Sequence, residues 1–467
     1  MHAIVTILAV LAAMLLGHIA AGGSQTMMIV VFLGVMVSVL AFFSPKASIA
    51  LLVFSMLLSP KIGFGDVGGG REAVLRYDDI LLVIIFFSWL ARTAIFKGRS
   101  FIISTPVQTP VLLYTALAVL STALGIIRGN ISAKESVFYV LKYVEYFLLY
   151  FMTVNIVDSE KDIRRYLRYG AVVAVVVTIY AFYYYHNSGA DARATAPFEA
   201  IVGSSENASE PASLGGYYLV IFGMLMAFMI EYSGKMLLLF TGMLVFMFPV
   251  FLITFSRSSY IGFTLMVPAL FFFMRKRRLA MLGFITAGMI ALAMMPGIAG
   301  KVMDRITMTY QGTYATQTFQ AGMVGNIHLE DSAAARVNSI RRVLFEKLPV
   351  HPLLGWGVTG IGIGDTQYAL VLGEMGALGA LLFGWMLYRL FYTARTVFKL
   401  SEDHTMRAMA LGFMVTLIGL LFQSVGVNSF IIIRIMEPFW FIAALLSVEY
   451  LKLNAPPVTT AEAIMRS

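Results

Sequence analysis

Residues 26–43 have the sequence TMMIVVFLGVMVSVLAFF, a run with no charged side chain. An α-helix of this length nearly spans the roughly 30 Å of hydrocarbon in a bilayer, because each residue adds about 1.5 Å. Apolar blocks of roughly 17–25 residues recur along the chain, without the alternation of polar and apolar residues that is typical of a membrane barrel. We therefore predict an all-α polytopic membrane protein.

The composition excludes a soluble domain. Hydrophobic residues make up 59% and charged residues 13% of the 467, and the mean hydropathy is +0.84, which leaves too little polar surface to solvate a globule. The net charge of +9 would suggest nucleic acid in a soluble protein. Here most of that charge follows membrane topology, so we expect no nucleic-acid partner. The chain has no cysteine, which excludes disulfides and thiolate metal sites.

Basic clusters near the ends of apolar segments set the orientation, because Lys and Arg are enriched in cytoplasmic loops. An even number of spans separates successive clusters. This spacing predicts about 12–14 spans in one transmembrane domain over residues 1–467, with both termini inside. We expect residues 3–21 to be a retained span, since no Lys or Arg precedes them, and residues 47–58 to be the shortest span. The clusters are Arg92, Lys97 and Arg99; Lys161, Arg164, Arg165 and Arg168; residues 275–278; and Arg395, Lys399 and Arg407.

This threading leaves three polar stretches outside the cytoplasm, residues 60–79, 187–214 and 299–364. The last is a large extracytoplasmic loop subdomain that breaks the positive-inside bias. Either long loops escape the charge rule during translocation, or this loop binds an anionic ligand. Its basic residues are Lys301, Arg305, Arg336, Arg341, Arg342 and Lys347.

The same loop contains a predicted amphipathic helix. Asp331 or Ser332 begins the helix as its N-cap, and Pro349 ends it. At about 100° per residue one face is apolar and is flanked by cations, so the helix lies on the membrane surface or packs on the bundle. The apolar face holds Ala333, Val337, Ile340, Leu344 and Leu348; Arg336 and Lys347 lie on one edge and Arg341 on the other.

Three further features fall on the same outer face. Arg257 lies at the junction of two spans, where an unpaired charge is costly, and Arg193 lies in the loop at 187–214. The run that begins at His351 leads into glycines at 355–364, which permit close approach of backbone amides to an anion or simply make a flexible loop. Asp365 follows, three residues before Tyr368, and is either the N-cap of the next span or a catalytic carboxylate.

Together these motifs resemble the O-antigen ligase and O-antigen/exopolysaccharide polymerase superfamily. The resemblance is densest over residues 256–379, and outside that stretch only hydropathy supports it. It implies a C-type glycosyltransferase-like fold and transfer of a glycan from a polyprenyl diphosphate carrier to an acceptor, without metal, nucleotide sugar or other cofactor. The motifs are SRSSYIG at 256–262, the helix with Arg336, PLLGWG at 352–357, DTQY at 365–368 and EMGALG at 374–379.

Site residues follow from this resemblance together with the chemistry of arginine, whose planar fork matches phosphate oxygens. We expect Arg193, Arg257 and Arg336 to hold the diphosphate, with Arg341 and Tyr368 beside the substrate. Ligases of the family carry a histidine where this chain has Asp365. The resemblance therefore favours a polymerase in which Asp365 accepts the proton of the acceptor hydroxyl, with His351 as a substitute.

Lys142 and Glu145 lie three residues apart within a span, and they either pair with each other or line the substrate channel. The function we expect is a polysaccharide polymerase acting at the periplasmic face of the bacterial inner membrane. Its partners would be a lipid-linked oligosaccharide, a glycan acceptor, and chain-length regulator and export proteins. An O-antigen ligase is the close alternative. A polysaccharide transporter is the alternative from another class, although no internal repeat supports it.

Overall fold

The computed structural model describes residues 25–66, 72–96, 103–189, 192–198, 210–274, 276–278, 281–282, 296–309, 317–320, 326–362 and 366–455. These residues form a helical bundle with two small hairpins at one end. The elements in chain order are α1 (Gln25–Phe43), α2 (Pro45–Leu58), β1 (Lys61–Asp66), β2 (Glu72–Arg76), α3 (Tyr77–Ile95), α4 (Gln108–Ile127), α5 (Ala133–Ile156), α6 (Glu160–Asn187), α7 (Pro211–Glu231), α8 (Gly234–Leu252), α9 (Arg257–Phe273), α10 (Pro296–Thr307), β3 (Gln317–Gln320), β4 (Asn326–Leu329), α11 (Asp331–Arg342), α12 (Gln367–Leu400), α13 (His404–Gln423) and α14 (Ile433–Leu453).

Seven of the described helices, α4 to α8, α12 and α13, are long and apolar enough to cross a membrane. An all-α polytopic membrane protein is therefore confirmed. The apolar helices α2 and α9 are shorter, with 14 and 17 residues, and α3 and α14 carry several charged side chains. Residues 3–21 lie outside the described residues. The total of about 12–14 spans thus stays a prediction.

The centre of the bundle is α7, which packs against α13. In the most apolar 18-residue stretch of α7, 94% is buried inside the protein. Glycines permit this close contact: a Cβ on Gly223 would lie 2.9 Å from the carbonyl oxygen of Gly412, and one on Gly412 would lie 2.9 Å from the carbonyl oxygen of Gly223. Small residues let helix backbones approach in this way in membranes. By contrast, only 33% and 28% of the corresponding stretches of α6 and α8 are buried, so these two helices form an outer face.

Ion pairs tie helix ends together at one end of the bundle. Lys46 at the start of α2 pairs with Asp162 at the start of α6, with 2.6 Å between Nζ and Oδ2. Arg164 of α6 pairs with Asp403, which caps α13. The basic clusters at 161–168 and 395–407 therefore lie at the same end of the bundle, as the predicted alternation of spans requires.

The polar stretches gather at the other end and contain both hairpins, β1 with β2 and β3 with β4. The predicted amphipathic helix is α11, which continues as a π-helical turn, Val343–Lys347. Its N-cap is Glu330 and neither Asp331 nor Ser332. The backbone of Glu330 is extended, and its side chain forms no capping bond but an ion pair with Arg257. The helix packs on the bundle at its C-terminal end, where Val343 is buried with Ile361 and Leu370.

Candidate functional site

A cavity of about 2090 Å³ opens at the end of the bundle that carries the hairpins. Its walls come from segments far apart in sequence, so only the tertiary fold assembles it. The contributing elements are the β1–β2 hairpin, the segment 192–198, the N-termini of α7, α9 and α14, the C-terminal end of α10, the helix α11 and the loop between α13 and α14.

Charge within the cavity is strongly unbalanced. Within the part of the chain that the structure describes, Glu210 is the single acidic residue in the lining, against seven basic ones. Such a concentration of one sign creates a potential that attracts a counter-ion. The basic residues are Lys61, Arg76, Arg193, Arg257, Arg336, Arg341 and Arg434.

Arg193 lies against the turn between α8 and α9. Its Nε donates to the carbonyl of Thr254 (3.1 Å), and its guanidinium donates to the carbonyl of Phe255 (2.8 Å). Phe255 adopts a left-handed φ of 49°, which costs a non-glycine residue roughly 1–2 kcal/mol. Burial, followed by the positive charges of Arg305 and Arg257, lowers the pKa of Arg193. Since an arginine remains charged, these cations repel one another until an anion joins them.

Arg257 is the first residue of α9 and bridges two further elements. Its guanidinium donates to Oγ1 of Thr309 at 2.6 Å, just beyond α10, and forms an ion pair with Glu330 immediately before α11. The side chain remains 24% exposed, on the cavity wall. The ion pair therefore fixes the position of α11 while leaving part of the guanidinium open to the cavity.

Arg336 and Arg341 project from α11 into the cavity lining. Nε of Arg336 donates to the carbonyl of Gly426 (2.7 Å), and another nitrogen donates to Ser332 one turn earlier (2.8 Å). Arg341 forms no ion pair with any described residue. The structure thus brings Arg193, Arg257, Arg336 and Arg341 together on one cavity.

Lys61, Arg76 and Arg434 also line the cavity but were missing from the candidates chosen from sequence. Arg434 is 3% exposed and donates to the carbonyls of Leu57 (3.2 Å) and Phe198 (3.1 Å). A signal for it was present, because an arginine within an apolar segment marks a functional site by default. For Lys61 and Arg76, in a polar hairpin, no comparable signal existed.

Three helix N-termini point at the cavity, those of α7, α9 and α14. No side-chain hydrogen bond caps any of these three helices in the described structure. The backbone amides of a first helical turn carry partial positive charge and attract anions, by typically about 0.3–1 kcal/mol for each helix. The helix N-termini and the arginines therefore both favour an anion in the cavity.

Part of the cavity lining is aliphatic. Ile261 of α9 and Val425 of the α13–α14 loop belong to it and are 47% and 48% exposed, and Ile306 and Val337, which also line the cavity, are exposed as well. Exposed aliphatic groups next to a dense group of cations form an amphipathic surface. Such a surface matches a ligand that joins an anion to a hydrocarbon chain.

The structure does not bring His351 or Tyr368 into the cavity lining. The ring of His351 packs on Trp356, with 4.6 Å between ring centroids, and loss of hydration followed by the charge of Arg128 lowers its pKa. The Tyr368 hydroxyl donates to the carbonyl of Leu421 at 2.6 Å. Both side chains therefore have structural contacts away from the seven cations.

Two of the glycines expected to approach an anion, Gly355 and Gly357, serve chain packing instead, whereas a Cβ on Gly362 would meet no atom within 4 Å and Gly364 lies outside the described residues. A Cβ on Gly355 would lie 2.6 Å from the carbonyl oxygen of Glu374, and one on Gly357 would lie 3.1 Å from the carbonyl oxygen of Ser121. Both also have positive φ. The loop at 351–361 is thus pressed against α12 and α4, at a distance that no side chain would allow.

Asp365 lies outside the described residues. The next residue, Thr366, is the N-cap of α12, and its hydroxyl accepts from the amide of Ala369 at 3.2 Å. A capping role for Asp365 is therefore wrong. The amide of Gln367 donates to the carbonyl of Ser424 at 3.1 Å, which joins the start of α12 to the loop that lines the cavity.

Lys142 and Glu145 of α5 are not part of the cavity lining. They pair with each other, with 3.2 Å between Nζ and Oε2, and Lys142 also pairs with Asp79 at the start of α3. All three are largely buried. Of the two interpretations made from sequence, the mutual ion pair is the one found.

A second buried group adjoins this triad and reaches the cavity through Arg76. The Arg76 guanidinium lies 2.6 Å from an oxygen of Asp78 and 3.8 Å from an oxygen of Glu437, two carboxyl groups that are at most 1% exposed. Buried carboxylates of this kind hold a guanidinium in one orientation. Asp78 and Glu437 therefore position Arg76 at the cavity.

No protein-family model matches the chain, and no curated protein is similar to it at a significant level. Among the described residues no group of three or more His, Cys, Asp or Glu side chains is arranged to hold a metal ion.

Proposed function

We propose that the chain is a glycosyltransferase that polymerises polysaccharide repeat units carried on polyprenyl diphosphates. The observation that carries the proposal is the cavity with seven basic residues, three helix N-termini and a partly aliphatic lining. A polyprenyl diphosphate joins a strongly anionic group to a long hydrocarbon tail, and the basic and aliphatic groups of this lining match those two parts.

In the proposed reaction a hydroxyl of the acceptor glycan attacks the anomeric carbon of the donor sugar. The bond from that carbon to the diphosphate oxygen breaks, and the polyprenyl diphosphate leaves with the electron pair. The hydroxyl proton passes to a base or to the departing diphosphate. Arginines that already surround the diphosphate stabilise the charge that develops on it, and such preorganised electrostatics is usually the largest catalytic contribution. The reaction then needs no nucleotide and no metal.

The base is Asp365 in this proposal. Thr366 and Gln367, which follow it, are bonded into α12 and to the loop beside the cavity. A carboxylate near several arginines stays ionised and can accept a proton as the new bond forms. Glu210, the acidic residue of the described lining, is the second candidate.

The membrane setting completes the proposal. The cavity lies at the end of the bundle opposite the basic clusters at 161–168 and 395–407, which by the positive-inside rule face the cytoplasm. We therefore propose the periplasmic face of a bacterial inner membrane as the working site. Chain-length regulator and export proteins are the expected partners at that face.

Binding is the first test, and it requires no knowledge of the sugar. A synthetic polyprenyl diphosphate without sugar should stabilise the purified chain and raise its melting temperature. At a ligand concentration of 100 Kd the free energy of unfolding should rise by about 2.7 kcal/mol. The matched polyprenol, with the same tail and no phosphate, should not. Equal stabilisation by both compounds would contradict a diphosphate site.

Product analysis is the second test and separates the polymerase from a ligase, which would bind the same carrier. The purified chain should convert lipid-linked repeat units into a ladder of lengths. A single transfer to a lipid acceptor would identify a ligase instead. Tight diphosphate binding with neither product would favour a transporter of the lipid-linked glycan.

A further inference from the structure

A second cavity of about 440 Å³ lies between α2, α6, α7, α8 and α14 and reaches the end of the bundle opposite the first cavity. Its lining is almost wholly apolar, with side chains such as Met224, Phe228, Leu239 and Phe441. Tyr217 and Tyr232 of α7 both line it, so it extends along about 22 Å of that helix at 1.5 Å per residue. The cavity is thus a long groove rather than a compact void.

This groove opens on the face of the bundle that packs least against protein. The helices on either side of the opening are α6 and α8, whose most apolar stretches are only 33% and 28% buried. Met236 and Leu239 of α8 line the groove and are 45% and 52% exposed. An empty apolar groove of this size would forfeit many dispersion contacts, and water would find few polar partners there. A hydrocarbon chain in the groove would restore those contacts.

Two arginines of α6 belong to the groove lining, Arg164 and Arg168. Arg164 is already neutralised, because it forms an ion pair with Asp403. Arg168, one turn further along the helix, is exposed, and its Nε donates to the carbonyl of Arg164 at 3.3 Å. No described carboxylate pairs with Arg168. It is a cation available to a ligand beside an apolar groove.

We propose that this groove binds an anionic phospholipid from the leaflet at that end, with one acyl chain along α7 and the phosphate at Arg168. An arginine binds a phosphate through charge-assisted hydrogen bonds, and an unpaired cation favours a lipid with net negative charge over a zwitterionic one. The site is separate from the cavity proposed for the polyprenyl diphosphate, and the proposal does not depend on that function.

The chain offers a matched control in Arg165, next to the groove but outside its lining. Arg165 is exposed, as Arg168 is, and lies 3.5 Å from an oxygen of Asp162. Native mass spectrometry of the full chain, titrated with phosphatidylglycerol, should show about tenfold weaker binding for Arg168→Gln, as expected for one charge-assisted bond. Arg165→Gln should bind like the parent. Equal losses in both variants would overturn the proposal, because a general surface-charge effect would then explain them.

Gly170 provides a test of the groove itself. It lines the cavity, and a Cβ placed on it would meet no atom within 4 Å, so Gly170→Leu projects into open space and suits a helix better than glycine. This variant should melt no lower than the parent in detergent yet lose the bound phosphatidylglycerol. Full retention of the lipid would place it elsewhere and overturn the proposal. So would phosphatidylcholine binding as tightly as phosphatidylglycerol to the parent.

Discussion

Arg257 and Glu330 form an ion pair although 73 residues separate them in sequence. Arg257 begins α9, and Glu330 immediately precedes α11, so this contact joins the wall of the large cavity to the helix that carries Arg336 and Arg341. The same pair partly neutralises a cation of the cavity. Removal of the ion pair should therefore have two effects: it should strengthen anion binding by freeing a positive charge, and it should hold α11 less firmly in place.

Glu330→Gln should strengthen binding of a sugar-free polyprenyl diphosphate, because removal of one negative charge raises the positive potential in the cavity. The cost in stability should be about 1–3 kcal/mol, since the pair is only about one-quarter exposed and Arg257 keeps its bond to Thr309. Isothermal titration calorimetry and thermal melting measure the two effects. Glu346→Gln, an exposed carboxylate of the turn after α11, is the control. Weaker binding by Glu330→Gln would mean that positioning of α11 outweighs charge.

Arg257→Lys and Arg336→Lys should each lower kcat/KM about ten- to a hundredfold, as expected for the loss of a bidentate charge-assisted bond worth about 1.5–3 kcal/mol. Membrane insertion and melting temperature should change little, because the positive charge is kept. Arg342→Lys is the matched control, since Arg342 lies on α11 but outside the cavity lining. Chain elongation by purified protein is the measurement. Parental rates in both cavity variants would remove the arginines from the mechanism.

Lys142→Met and Glu145→Gln should differ sharply in stability. Lys142 pairs with both Asp79 and Glu145, so its loss leaves the buried carboxylate of Asp79 without this counter-charge, at a cost of about 3–5 kcal/mol. Glu145→Gln leaves the Lys142–Asp79 pair intact, and we expect a change within about 1.5 kcal/mol. Denaturant unfolding of the purified variants measures both. Equal destabilisation by the two substitutions would contradict the assignment of Lys142 as the main counter-charge of this buried group.

Cysteine labelling tests the orientation without background, because the chain has no cysteine. Asn326→Cys, at the start of β4, should react with a membrane-impermeant thiol reagent added outside intact inner membranes. Glu402→Cys, exposed between α12 and α13, should react only after the membrane is opened. The reverse pattern would place the large cavity on the cytoplasmic side.

Sequence was sufficient to bring Arg193, Arg257 and Arg336 to one end of the bundle. Arg193 and Arg336 lie within polar stretches and Arg257 lies at the junction of two spans, and counting spans from the basic clusters assigns these positions to one end or the other. Span counting carries no information on lateral packing, however. It could not show that Arg434 reaches the same cavity, because that depends on the contact of α14 with the segment 192–198.

The glycine run at 355–364 illustrates a second limit. Glycine permits close approach, but sequence does not say what approaches: here it is the backbone of α12 at Glu374, against Gly355. The N-cap of α11 was misjudged for a related reason. Glu330 occupies the capping position without a side-chain capping bond, and its side chain pairs with Arg257 instead, a long-range contact that local sequence does not show.

A catalytic role of Asp365 can be tested separately from helix capping, because Thr366 and not Asp365 is the N-cap of α12. Since Thr366 caps α12, neither Asp365→Asn nor Asp365→Ala should cost the cap, and both proteins should melt like the parent. Thr366→Ala should instead lose roughly 0.5–2 kcal/mol of stability through the missing hydroxyl.

If Asp365 accepts the proton of the acceptor hydroxyl, both of its variants should slow chain elongation by about 10²–10⁴ while still binding the polyprenyl diphosphate. Thr366→Ala should elongate chains at nearly the parental rate once folded. Near-parental elongation by Asp365→Asn would strip Asp365 of this role and make Glu210 the next candidate, to be tested as Glu210→Gln in the same assay. If that variant were also active, proton transfer to the departing diphosphate would remain. The arginines would then carry the catalysis by stabilising the leaving group alone.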